Sequence, residues 1–128
     1  MAGVGPRDVQ GCDVHDCFSI SEIVAYEILG LADNGQGAKL AESGATALPS
    51  VRATLGGKSA QVPVVNPGGG LIGDGHPVGA TGVRQVVEAV THLTNNAGQR
   101  QIEGAKKYLT FNMGGSLTTS VAMVWGAE

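Results

Sequence analysis

The sequence predicts an α/β fold, with helices layered on a mostly parallel sheet that ends in an antiparallel hairpin. Three observations carry this. Short apolar runs at 12–15 and 62–65 alternate with stretches of helical periodicity, the pattern of strands joined by crossover helices. Two β-rich runs, Tyr108 to Met113 and Ser120 to Trp125, close the chain with glycines between them. The 128 residues, 42% apolar and 15% charged, suffice for one core and exclude a disordered chain.

Residues 12 to 15 read as the end of a short buried strand. A helix follows, opened by Ser19-Ile20-Ser21-Glu22 in the form of a capping box, with Ser19 as N-cap and Glu22 reaching back. Ile20, Ile23, Val24, Ile28 and Leu31 recur at helical spacing and form one apolar face. Gly30 and Asp33-Asn34-Gly35 end it. A short helical stretch from Ala38 to Ser43 stops at Gly44, and residues 45 to 60, rich in Gly, Pro and Ser without a period, read as a long loop. Val62 to Val65 is a short buried strand, its start or an edge marked by Pro63. A glycine-rich loop, 66–82, leads to a helix over 81–93 with Val83, Val86, Val87, Val90 and Leu93 on one face. Gly114-Gly115-Ser116 lies between the two final strands.

Composition excludes several classes. The net charge of −3 offers no basic patch, so neither nucleic acid nor an anionic membrane surface is expected as a partner. No apolar run has the length of a membrane span. No secretory signal, retention address or peroxisomal address is legible at either end. The 21 glycines cluster rather than repeat, which points to tight turns or to backbone brought against a ligand. Cys12 and Cys17 are too close in sequence for a useful disulfide, and with His15 between them they match no zinc spacing, so no metal is expected.

Three clusters can carry chemistry. Val14-His15-Asp16-Cys17-Phe18 sits where a strand gives way to a helix, the usual place for functional groups in open α/β sheets. In extended chain His15 and Cys17 point to one side and Asp16 to the other. A thiol beside an imidazole and near a helix N-terminus can serve as nucleophile or acid/base; the bland alternative is a small buried hydrophobe. The second cluster, Asn66 to Gly82, holds His76 between Gly75 and Pro77, where a fixed imidazole can polarise a carbonyl or move a proton, or can simply be an exposed loop residue. The third, Asn112-Met113-Gly114-Gly115-Ser116, can present backbone N–H groups to an oxyanion or be a plain hairpin turn.

Taken together, His-Asp-Cys-Phe, then Asn-Pro-x-Gly-Gly with Gly-His-Pro-x-Gly-Ala-Thr-Gly, then a Gly-Gly hairpin, resemble the thiolase superfamily, and the His-Asp-Cys-Phe form resembles its sterol-carrier branch. The match covers nearly the whole chain but only about the last third of a complete thiolase. The resemblance implies a thiolase-like C-terminal half lacking its first strand. It implies that His76 activates a nucleophilic cysteine and helps form an oxyanion hole, that His15 positions the oxyanion-hole water, and that Cys17 is the acid/base thiol. It further implies that Asn66 fixes its loop, and that Gly114 and the N–H of Ser116 support a second oxyanion hole. Ser116 stands where the family usually has glycine.

The implied activity is acyl transfer: thiolysis of a 3-ketoacyl-CoA, or the reverse Claisen condensation. Coenzyme A thioester is the substrate, and no resident cofactor is implied. The family's nucleophilic cysteine lies in the N-terminal half, and neither cysteine here has that context. An N-terminal thiolase half or a partner subunit is therefore expected, with a homo-oligomer for a complete protein and no activity for this chain alone. An exposed apolar sheet edge and a tendency to self-associate are expected as well. The compartment would be the cytoplasm in a prokaryote, or the peroxisome or mitochondrion in a eukaryote. Two other readings stand beside this one: an aldolase on the same scaffold cleaving 3-hydroxyacyl-CoA side chains, and a non-catalytic module binding acyl-CoA or a partner.

Overall fold

A computed structural model describes residues 2–58, 61–115 and 118–127. Its centre is β1 (Gly11–Val14), buried along its whole length. β1 runs parallel to β2 (Val64–Val65) on one side and to β3 (Lys107–Gly114) on the other. β4 (Thr119–Gly126) pairs antiparallel with β3, giving the order β2-β1-β3-β4. The mostly parallel sheet with a closing hairpin is thus as the sequence implied. β1 ends one residue earlier than expected, so His15 lies just beyond the strand. β2 is reduced to two residues because Pro63 brings no N–H to the ladder.

The two faces of the sheet are built differently. Cys12, Val14, Leu109, Phe111 and Met113 point to one side and pack with Ala25, Tyr26 and Leu31. On the other side Tyr108 packs with Val64, Ala89 and Ile102. Gly11 has no side chain because Tyr108 lies over it; a Cβ there would collide with the ring.

Helix α1 (Ser19–Ile28) covers the first face and departs from the sequence reading in two ways. Phe18, not Ser19, is the N-cap, and no side chain caps the helix. Glu22 does not reach back: its carboxylate accepts from the Tyr26 hydroxyl and from Asn66 Nδ2. Tyr26 is almost completely buried, and satisfying its hydroxyl takes precedence over an exposed cap. Most of the apolar face also points outward, and only Leu31 of its five residues is buried in the core. Ile20 and Ile28 are about 60% and 61% exposed, while Ser21, Ala25 and Tyr26 are the buried residues.

Helix α2 (Gly37–Glu42) packs beside α1. Residues 45–60, expected as a loop, contain α3 (Pro49–Leu55), started by Pro49 and ended by Gly56 in the left-handed region at φ 66°. The loop over 66–82 contains one helical turn, α4 (Gly70–Asp74). Helix α5 (Thr81–Leu93) has the predicted bounds and lies on the second face of the sheet. Its inward residues are Thr81, Gln85, Glu88, Ala89 and His92, whereas Val83 is 67% exposed and Val87 and Val90 also face outward.

A buried ionic group fills the far end of that layer. His92 stacks on Tyr108 with ring centroids 5.5 Å apart and meets Glu88 at 3.3 Å, and Arg100 pairs with the same carboxylate. Burial opposes the charge on Glu88, but His92 and Arg100 outweigh it and hold the carboxyl below its ordinary range.

Candidate active site

The C-terminal ends of β1 and β3, the start of α1 and the loop before α5 enclose a cleft of about 820 Å³. His15, Cys17 and His76 all line it. Each is placed by a separate piece of local structure.

His15 continues β1 by one residue. The β1–β3 register pairs Val14 with Phe111, so the next residues along are His15 and Asn112. The His15 Nδ1–H donates to Asn112 Oδ1, leaving Nε2 as the ring's second polar atom. Asp16 turns the opposite way. Its carboxylate accepts from the Leu71 N–H at 2.7 Å and the Ile72 N–H at 3.5 Å, fastening α4 beneath the β1–α1 junction. Gly70, at φ 62°, allows this approach, since a Cβ would lie 2.6 Å from Asp16 Oδ1.

Cys17 is half-buried, with its sulfur 3.8 Å from Ser21 Oγ in the first turn of α1. Cys12 is different. It is wholly enclosed in the core, and burial, followed by the charges of Asp13 and Glu22, pushes its thiol well above the ordinary value. Of the two thiols, Cys17 lines the cleft and Cys12 does not.

His76 follows Gly75, which takes φ 98°. Its Nδ1 lies 2.6 Å from Thr81 Oγ1 on the first turn of α5. The Thr81 hydroxyl is also 3.4 Å from the Pro77 carbonyl, which can only accept. The hydroxyl therefore donates there and accepts from Nδ1–H, leaving Nε2 as the ring's free nitrogen. The rings of His15 and His76 meet with centroids 5.0 Å apart.

Asn66 stands behind the cleft rather than in it. Its Oδ1 accepts from the Val14 N–H at 3.0 Å and its Nδ2 donates to Glu22 Oε2 at 3.1 Å, so one carboxamide joins the end of β1 to α1. It does so with a positive φ of 48°. Gly114 and Gly115 line the cleft from the hairpin side; Ser116 lies outside the described residues. The sequence did not single out Thr81 or Gln85, which also line or support the site. Thr81 belongs to the Gly-Ala-Thr-Gly motif, and Gln85 lies one helical turn beyond it on α5, the spacing that would have found it.

Among the described residues no group of three His, Cys, Asp or Glu side chains is arranged to hold a metal ion. No described helix is long and apolar enough to cross a membrane.

Two imidazoles and a thiol thus line one cleft beside the C-terminal ends of β1 and β3 in an α/β domain. The family model described as thiolase C-terminal domain-like matches residues 1–127, and the chain belongs to that family. Sterol carrier protein 2 of Bos taurus is 48% identical over 113 residues, covering 88% of this chain and 19% of that protein. The acetyl-CoA acetyltransferase of Methanothermobacter thermautotrophicus is 41% identical over 125 residues, covering 98% of this chain and 30% of its own length. Benzoylsuccinyl-CoA thiolase subunit BbsB of Thauera aromatica is 39% identical over 102 residues, covering 80% of this chain and 24% of that subunit. The chain therefore spans between 19% and 30% of the length of these relatives.

Proposed function

We propose that this chain supplies the acid/base and oxyanion-stabilising residues of a 3-ketoacyl-CoA thiolase of the sterol-carrier type. The observation that carries the proposal is that His15, Cys17 and His76 line one cleft, with the two imidazoles 5.0 Å apart. The nucleophilic cysteine comes from an N-terminal half or a partner subunit. The outward apolar stripes of α1 and α5 supply a surface for it.

In thiolysis that cysteine attacks the C3 ketone of the substrate, with Nε2 of His76 taking its proton. The C2–C3 bond then breaks, and its electron pair leaves as the enolate of acetyl-CoA. Cys17 donates its S–H proton to C2, which completes acetyl-CoA and leaves a thiolate. Free coenzyme A attacks the acyl-enzyme, and its thiol proton restores Cys17. The protonated His76 and a water held by His15 donate to the developing oxyanion; one such donor is worth ~3 kcal/mol of barrier. The Asn112 and Thr81 hydrogen bonds fix both rings for this role.

The test is acetoacetyl-CoA thiolysis by this chain assembled with a nucleophile-bearing half. Cys17→Ala and His76→Ala should each lower kcat by about a hundredfold or more. Turnover by the 128-residue chain alone, or full activity in Cys17→Ala, would overturn the proposal. Faster cleavage of a 3-hydroxyacyl-CoA than of the ketoacyl-CoA would replace it with the aldolase reading, against which the cysteine at 17 argues.

A further inference from the structure

We propose that Gln85 is a positioning residue of the cleft, steadied from behind by Asp13 through one bound water. The inference rests on the thiolase reading for its chemistry, but its geometry stands apart. Gln85 lines the cleft on the inward face of α5 and is only 1% exposed. Its Nε2 has no hydrogen-bond partner among the described residues. Asp13, also 1% exposed, gives one oxygen to the Tyr108 hydroxyl at 3.0 Å, and its Oδ2 has no partner among the described residues.

Both side chains lie at one level of the same layer. Along α5, Gly82 abuts the Asn112 amide and His92 stacks on Tyr108, so Gln85 falls between these two levels. On the sheet, Asp13 is paired with Thr110, which falls between Tyr108 and Asn112. A buried donor on α5 and a buried acceptor on β1 thus stand at one level of the same layer, each without a partner among the described residues. Leaving either unmade is costly, and one internal water accepting from Nε2 and donating to Oδ2 satisfies both. The groups that act on Asp13 besides its burial are the Tyr108 hydroxyl of β3, which hydrogen-bonds it, and the charges of Glu88, Arg84 and His92 on α5.

With Nε2 held inward, Oε1 is the end that Gln85 presents to the cleft. There it accepts one hydrogen of a water in the cleft, whose other hydrogen points to the carbonyl oxygen of the acyl thioester. Gln85 acts through this water and transfers no proton itself.

The link and the role are tested separately. The Gln85 side-chain NH2 signals of the chain are followed by NMR from about pH 5 to about pH 9. They should move with the titration of Asp13, centred at about 7, and stay flat in Asp13→Asn. Flat signals in the parent chain overturn the link. In the assembled enzyme, Gln85→Met should lower kcat about tenfold with KM within about twofold, and adding Asp13→Asn should cost nothing further. Unchanged kcat, or two effects that multiply independently, overturns the role. An inactive assembled parent removes the thiolase reading and the kinetic role together, while the NMR result still decides the link.

Discussion

The imidazoles of His15 and His76 stand edge to face, 88° between planes, and each is braced by a different element. Asn112 on β3 holds the first ring and Thr81 on α5 the second. Asn112→Leu and Thr81→Val should therefore each lower thiolysis in the assembled enzyme by tenfold to a hundredfold, on the order expected when a catalytic group is displaced by about 1 Å. Thermal unfolding should change far less. Kinetics within twofold of the parent would show that the braces are dispensable.

The buried carboxyl of Asp13 makes stability depend on pH. Burial, offset in part by Tyr108 and reinforced by Glu88, moves it from an ordinary 3.8 up to about 7. Between those values the folded chain holds a proton that the unfolded chain has lost, so stability falls as pH rises through this window and levels off above it. The whole effect is on the order of 4 kcal/mol. Asp13→Asn keeps an acceptor for Tyr108 and should be more stable than the parent at pH 8 but close to it at pH 4. Urea titrations at both pH values check this, and equal loss at both would contradict it.

Gly70→Ala should disrupt the loop that carries His76. The backbone there has φ 62°, and the new methyl would press on the Asp16 carboxylate, which holds the Leu71 and Ile72 N–H groups. Strain and a displaced carboxylate together should cost about 2–4 kcal/mol by chemical denaturation. By contrast, Gly73→Ala meets no atom within 4 Å and should cost less than about 1 kcal/mol.

The two thiols should separate under alkylation. Cys17 is half-buried at the cleft, while Cys12 is sealed in the core with its thiolate disfavoured by burial. Iodoacetamide at neutral pH should label Cys17 in the folded chain and reach Cys12 only after denaturation, as read by peptide mass spectrometry.

Much of the architecture was legible because it depends on local pattern. The apolar runs of β1 and β3, the hairpin glycines and the period of α5 gave the element order and the parallel sheet. The spacing of Ile20, Val24 and Ile28 gave a helix but not the direction of its apolar stripe, which is set by what the sheet already accommodates in Ala25 and Tyr26. α3 was missed because none of its residues is buried and it leaves no periodic trace. The capping box failed because Glu22 is drawn to Tyr26 and Asn66, the latter distant in sequence. At the site, His15, Cys17 and His76 were legible from residue type and motif. The supports of Asn112 and Thr81 required strand register and the closure of a loop.

On the thiolase reading proposed above, the valines and isoleucines that α1 and α5 turn to the outside make folding and assembly one coupled equilibrium. A chain that covers those stripes adds its own burial free energy to the fold it lands on, so the melting temperature should climb with its concentration.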